Sequence, residues 1–274
     1  MSPSVTERLE TVWGGYSPLR RAYRRIRPGW MARLTASGGA IDRFVGEFGL
    51  TVRHGPFAGM RFPDAARGHA SFLAAKLLGA YERELHPLLL EAVAGGPAAV
   101  VDIGSAEGYY VVGLAMRSGP GVEVIGFETD PGGRKVCREM AALNGVAARV
   151  RLLSRCDPQA LSAVLPERAF VLCDCEGYEV DLLDPRRVPN LATSTILAEL
   201  HPLVVPEVEA RMRERFGTTH DIVVVNPGPR PPSDWDELAD VDGQTAFRLL
   251  SEGAPSPDRA AAFRRCWAIM TPIG

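Results

Sequence analysis

Two hydrophobic periodicities divide the chain. From 71 to 94, Phe72, Leu73, Leu77, Leu78, Tyr81, Leu85, Leu88, Leu89 and Val93 recur at helical spacing, and Gly95-Gly96-Pro97 follows. This predicts one helix with a sharp stop. Beyond it, short apolar runs alternate with helix-period segments. The run 98–103 is apolar apart from Asp102 and ends at Gly104, as a strand buried on both faces reads. Further strands are expected at 122–127, 149–153, 169–173, 195–200, 221–225 and 266–270. Helices are expected at 109–117, 131–143, 159–165 and 206–215. The second of these carries Pro131 in its first turn and Asn144-Gly145 at its end. Such alternation predicts an α/β protein, Rossmann-like, with a mostly parallel seven-stranded sheet and helices on both faces. Sheets of this kind bind ligands beyond the carboxyl ends of their strands.

The N-terminal third reads differently. Residues 17–34 have helical composition and stop before Ser37-Gly38-Gly39. Residues 50–53 and 60–62 alternate like short strands, with His54-Gly55-Pro56 starting the turn between them. The chain therefore divides into an extension, 1–94, and a sheet domain, 95–274. The extension is the candidate lid on the substrate side.

Composition narrows the function classes. A length of 274 residues suits one α/β domain with an extension. The net charge of -2 points to no polyanionic partner, so nucleic acid is not expected. Five cysteines, an odd and sparse set, argue against a secreted disulfide framework. No apolar stretch reaches the roughly 18 residues of a membrane span, and no compact signal core is present, so a cytoplasmic location is expected. Arg20, Arg21, Arg24, Arg25 and Arg27 form a basic cluster. It reads as a solvated helix face, with a nucleic-acid or acidic-membrane contact as the alternative.

The segment Val101-Asp102-Ile103-Gly104-Ser105-Ala106-Glu107-Gly108 joins a buried strand to a helix. Its pattern is D-x-G-x-x-x-G, unlike the G-x-G-x-x-G of dinucleotide sites. Glycines at such a turn let the backbone approach a ligand closely. The next strand ends at Glu128, which can accept hydrogen bonds from both hydroxyls of a ribose. Asp102, Gly104, Ser105, Gly108 and Glu128 are thus candidate cofactor-binding residues. Asp157 follows the third strand, where it would meet an adenine amino group or cap the next helix ahead of Pro158. Tyr81 and Glu82 are candidate lid residues on the preceding helix.

These residues resemble a known family, the FkbM-type S-adenosylmethionine-dependent methyltransferases of the class I fold. The matching strings are Val100-Val101-Asp102-Ile103-Gly104, Gly108-Tyr109-Tyr110, Gly126-Phe127-Glu128-Thr129-Asp130-Pro131 and Asn144-Gly145. More specific are Asp174-Cys175-Glu176-Gly177-Tyr178-Glu179 and Glu199-Leu200-His201-Pro202. Gly55 to Met60 and Lys76 to Glu82 look like the upstream part of one branch. The resemblance implies S-adenosylmethionine as cofactor and methyl transfer, commonly to oxygen, in natural-product synthesis or sugar decoration. One departure stands in the loop: Ala106-Glu107 replaces a small residue and Asn.

Asp174 and Glu176 lie at i and i+2 past the fourth strand, and Glu199 and His201 repeat that spacing at the fifth. In extended chain such pairs share a face, so neighbouring strands would bring all four together. Three readings stand. His201, with Glu199 and Asp174, removes a proton from an attacking hydroxyl. Asp174, Glu199 and His201 hold a divalent metal. Or the carboxylates cap the local backbone and the histidine is structural. Cys173 and Cys175 alternate with Asp174 and should point into the core. The loop 227–236, with Trp235, is a candidate lining of the acceptor pocket.

The expected activity is therefore O-methylation of a small-molecule acceptor, with homodimerisation left open. Two alternatives remain: non-methylating chemistry such as cyclisation on the same scaffold, and a non-catalytic interaction protein using the basic N-terminal segment.

Overall fold

The computed structural model describes residues 38–252 and 266–273. The expected helix over 17–34 and its arginine cluster lie outside the described residues.

Seven strands form one sheet: β1 (Ala99–Ile103), β2 (Glu123–Phe127), β3 (Val150–Leu153), β4 (Phe170–Cys173), β5 (Thr195–Leu200), β6 (His220–Val225) and β7 (Cys266–Pro272). Their order is β3-β2-β1-β4-β5-β7-β6. The first five pair in parallel, while β7 runs antiparallel to both β5 and β6. All seven strands sit within a residue or two of their expected bounds, and the Rossmann-like α/β architecture is present.

Nine α-helices occur among the described residues: α1 (Gly38–Phe48), α2 (Leu73–Leu78), α3 (His86–Ala94), α4 (Tyr109–Arg117), α5 (Pro131–Leu143), α6 (Pro158–Val164), α7 (Glu179–Leu182), α8 (Val208–Phe216) and α9 (Gly243–Leu250). Alternation along the strands separates two cores. Val100, Phe170, Leu172 and Leu197 face α1 to α5 and α9. Val101, Ile103, Val171 and Cys173 face α6, α7 and α8. The first core is continuous from the extension, through Phe44, Phe57 and Leu77, into the sheet.

Two expectations need correction. The helix over 71–94 is broken into α2, a 3-10 turn at Arg83–Leu85 and α3. Gly79 takes φ 71° and closes α2 in the left-handed region, and a Cβ there would lie 2.1 Å from the His54 carbonyl oxygen. The helical spacing survives the break because both halves bury the same face. The hairpin at 50–62 is reduced to a single bridge, Thr51 to Arg61, flanked by Val52 N–H to Met60 O and Phe62 N–H to Leu50 O. Gly38 and Gly39 open α1, a helix that the sequence pattern does not mark. Ile41, Phe44, Val45 and Phe48 give α1 one apolar stripe. No helix among the described residues is long and apolar enough to cross a membrane.

Candidate active site

β1 and β4 are neighbours in the sheet, yet the chain leaves β1 toward β2 and returns to β4 on the other side. A crevice opens at such a reversal, above the carboxyl ends. The β1–α4 turn fills its floor. Gly104 and Ser105 both donate backbone N–H groups to the Phe127 oxygen, at 2.9 and 3.0 Å. Gly104 has φ 95°, and a Cβ there would lie 1.8 Å from the Asp174 oxygen, so the ends of β1 and β4 touch at this point. Gly108 has φ 101° and lets α4 close on Cys137 of α5.

Glu128 is bound to this turn. One carboxylate oxygen accepts from Ala106 N–H at 2.9 Å, and the other from Asp130 N–H at 2.6 Å. The oxygen that takes Asp130 N–H also accepts from the Thr129 hydroxyl at 3.5 Å, so the oxygen facing Ala106 is the one with a second lone pair open to a ligand. The Ser105 hydroxyl donates to the Asp102 carbonyl at 3.0 Å, so it serves the turn. The Asp157 side chain caps α6, accepting from Ala160 N–H at 2.9 Å. Of its two expected roles, the cap is the one observed.

Asp102 differs from these. It is buried, and neither carboxylate oxygen has a hydrogen-bond partner. Burial first, and the nearby charge of Asp174 second, push its carboxyl up to about 8. A buried carboxylate without a donor is costly, and at a ligand crevice it marks a place for a cation.

Tyr81 and Glu82 lie in the break between α2 and α3, not on a continuous helix. The Tyr81 ring is buried, stacks on Phe72 at 6.0 Å and meets Tyr109 edge-on at 5.5 Å. Its phenol is pushed well above its ordinary value by burial, then by the charges of Glu82, Asp174 and Glu199. Glu82 accepts from the Tyr110 hydroxyl. Phe72, Glu82, Ala106 and Glu176 all hold positive φ around this edge, between 46° and 59°. Strain of this kind collects at ligand sites.

The acid and histidine residues do converge. His201 Nε2 lies 3.5 Å from Glu199, 3.6 Å from Asp174 and 3.7 Å from Glu176. Its Nδ1 lies 3.0 Å from Glu179 Oε1. Glu179 received no role from sequence. It opens α7, is fully buried, and the same oxygen accepts Cys175 N–H at 3.0 Å and Gly177 N–H at 3.2 Å. Its signal was the acidic residue closing the Asp-Cys-Glu-Gly-Tyr-Glu string. Burial alone would lower the imidazolium; the bond and charge of Glu179, then Asp174 and Glu176, outweigh it and raise His201 to about 9. The metal set also changes. Asp174, Glu179 and His201 offer ligand atoms within 4.8 Å of one another, so Glu179 stands where Glu199 was expected.

Cys173 and Cys175 face the second core, with their sulfurs 3.6 Å apart. Trp235 is buried, and its indole N–H donates to the Leu78 oxygen at 3.2 Å. Arg230 ties the same loop to Ala80 O at 3.0 Å and Glu84 at 2.9 Å. The loop thus closes on the α2 break rather than standing open as a pocket wall.

No protein-family model matches the chain. No curated protein matches it either. Solved structures do. The O-methyltransferase TomG of Streptomyces achromogenes, in complex with SAM, is 13% identical with a TM-score of 0.49, covering 78% of this chain and 92% of that one. An O-methyltransferase from Bacillus cereus in complex with SAH is 12% identical with a TM-score of 0.46, covering 68% and 79%. The C-terminal domain of precorrin-6Y C5,15-methyltransferase from Rhodobacter capsulatus is 19% identical with a TM-score of 0.46, covering 68% and 86%. At these values the activity has to be read from this chain's own residues.

Proposed function

We propose that the chain is an S-adenosylmethionine-dependent methyltransferase acting on a hydroxyl of a small natural product or sugar. The observation that carries this reading is the pairing of orphaned, buried Asp102 with Glu128 at the next strand end. One is suited to a cationic amino group and the other to a ribose. A nucleoside bearing an amino-acid tail satisfies both at once. Asp157 has a second oxygen free of the α6 cap for the adenine amino group. Tyr81 covers the crevice from the extension, and a functional division near residue 94 belongs to the same proposal.

When bound, S-adenosylmethionine supplies an electrophilic methyl group on a sulfonium. The protein's task is to hold nucleophile and methyl in line and to exclude water. His201 Nε2 lies among Asp174, Glu176 and Glu199; with its value raised to about 9 the ring is charged at neutral pH, and it would take the acceptor's hydroxyl proton in the neutral form that grows as pH rises toward 9. Glu179 Oε1 lies 3.0 Å from Nδ1 as an ion-pair partner of the charged ring. Asp174 and Glu199 hold the acceptor hydroxyl or balance the charge that develops on the ring.

A second reading rests on Glu179 Oε2, which is buried without a partner beside Asp174 and His201. This oxygen-rich set suits Mg2+ or Mn2+, which would acidify the acceptor hydroxyl. Full activity after exhaustive chelation removes it.

Calorimetry with S-adenosylhomocysteine tests the proposal. A folded sample that binds none ends it. Product mass then separates methylation, seen as the gain of one methyl group, from cyclisation or plain binding.

A further inference from the structure

Lys76 and Glu107 form a buried ion pair that the proposed chemistry does not use. Their side chains are 6% and 1% exposed. Lys76 stands on α2 and Glu107 in the β1–α4 turn, so the pair joins the extension to the cofactor loop. The Lys76 ammonium lies 4.8 Å from the centre of the Tyr81 ring and 5.4 Å from that of Tyr109. The charges of Asp174 and Glu199 are among those that raise the Tyr81 phenol. Glu107 lies in the turn that follows β1, and its charge is one of those that raise the unpartnered carboxylate of Asp102 on that strand.

We infer that Lys76 and Glu107 are the receptor for the amino-acid end of the cofactor, with the α-carboxylate on Lys76 and the α-ammonium on Glu107 and Asp102. The assignment rests on the proposed cofactor. A zwitterion has the same two charges as the pair, in the opposite sense. When it enters, each protein charge exchanges one opposite partner for another, and the desolvation already suffered by both is not repeated. Asp102 gains the cation it lacks. A purely structural staple would be served as well by apolar residues of similar volume, since buried ion pairs rarely add net stability. Glu107 is also the loop's departure from the family pattern. Lys76 meets the charge of Glu107 and leaves Asp102 without a partner.

The consequence is selectivity for the tail. The test is calorimetry on the full chain with two ligands, S-adenosylhomocysteine and 5′-methylthioadenosine, which lacks the amino-acid end. The variant is Lys76→Met with Glu107→Gln, which removes both charges and leaves neither unpaired; its thermal midpoint confirms folding. Loss of charge-assisted hydrogen bonds should weaken S-adenosylhomocysteine by about tenfold to a hundredfold. The affinity for 5′-methylthioadenosine should change less than about twofold, within the scatter of tenths of a kcal/mol for a site not touched. Unchanged affinity for both ligands makes the pair a structural staple and overturns the assignment. Equal weakening of both means that the pair shapes the loop and does not hold the tail, which also overturns it. Wild-type protein that binds neither ligand removes the cofactor reading itself.

Discussion

Glu179 Oε1 lies 3.0 Å from His201 Nδ1 and accepts two backbone N–H groups from the turn between β4 and α7. One oxygen therefore fixes both the shape of the Asp174–Gly177 turn and the face that the imidazole presents. The bond and charge of Glu179 are the largest of the contributions that raise His201.

Glu179→Gln keeps an acceptor for the turn and removes the charge. The His201 midpoint should fall from about 9 to below the ordinary histidine value, because burial then acts with less opposition. An NMR titration of the ring measures it, and an unmoved midpoint would exclude Glu179 as the dominant partner. Stability follows. The His201 value is raised on folding, so its contribution is complete below the unfolded value of 6.5 and is lost as pH rises through about 9. Denaturation across that window should show a decline in the wild type and a flatter profile in the variant.

Asp102 predicts a conflict between stability and binding. Its folded value, about 8, lies above the unfolded 3.8, so the folded state holds a proton that the unfolded state releases. Stability is favoured below that window and falls as pH rises through it. Asp102→Asn should raise stability at pH 8 by about 1–3 kcal/mol, the usual cost of an unsatisfied buried polar group, and leave it little changed at pH 4. The same variant should weaken S-adenosylhomocysteine. A variant that binds as tightly as the wild type would mean that no cation reaches Asp102.

Glu128→Ala should weaken cofactor binding by about 1.5–3 kcal/mol, the range for hydrogen bonds to a charged group. Part of that loss comes from the loop, since Glu128 also holds Ala106 at φ 47°. A 2′-deoxy analogue separates the two: its affinity should be lower than that of the ribose form in the wild type and equal to it in the variant. Equal affinities in both proteins would put the ribose elsewhere.

Gly104→Ala should destabilise the fold by about 2–5 kcal/mol, combining left-handed backbone cost with overpacking against Asp174. The urea midpoint reports it. A shift within about 0.5 kcal/mol, typical of surface changes, would contradict the close approach of β1 and β4.

Much of this was legible in the sequence, for identifiable reasons. Buried strands such as β1, β2, β4 and β5 leave short apolar runs that little else produces, and the half-exposed β3 and β6 kept enough apolar positions to be read within a residue or two as well. The i, i+2 spacing of Asp174 with Glu176 and of Glu199 with His201 correctly implied a meeting at the strand ends. What escaped depends on through-space contacts. Glu179 reaches His201 because a turn in positive φ at Glu176 and Gly177 folds the chain back, and residue spacing does not encode that return. The break between α2 and α3 preserves the helical apolar period, so periodicity could not show it. Lys76 read as an ordinary helix residue because its partner lies on another element.

The last strand of the sheet is also its wedge. β7 separates β5 from β6, so until Cys266–Pro272 leaves the ribosome β6 has no neighbour and β5 keeps one bare flank. Assembly can proceed through five parallel strands during synthesis, but closure of the sheet waits for β7. A chain cut short before it would display hydrogen-bonding groups on β5 and a loose β6 together, and unpaired flanks of that kind recruit other chains.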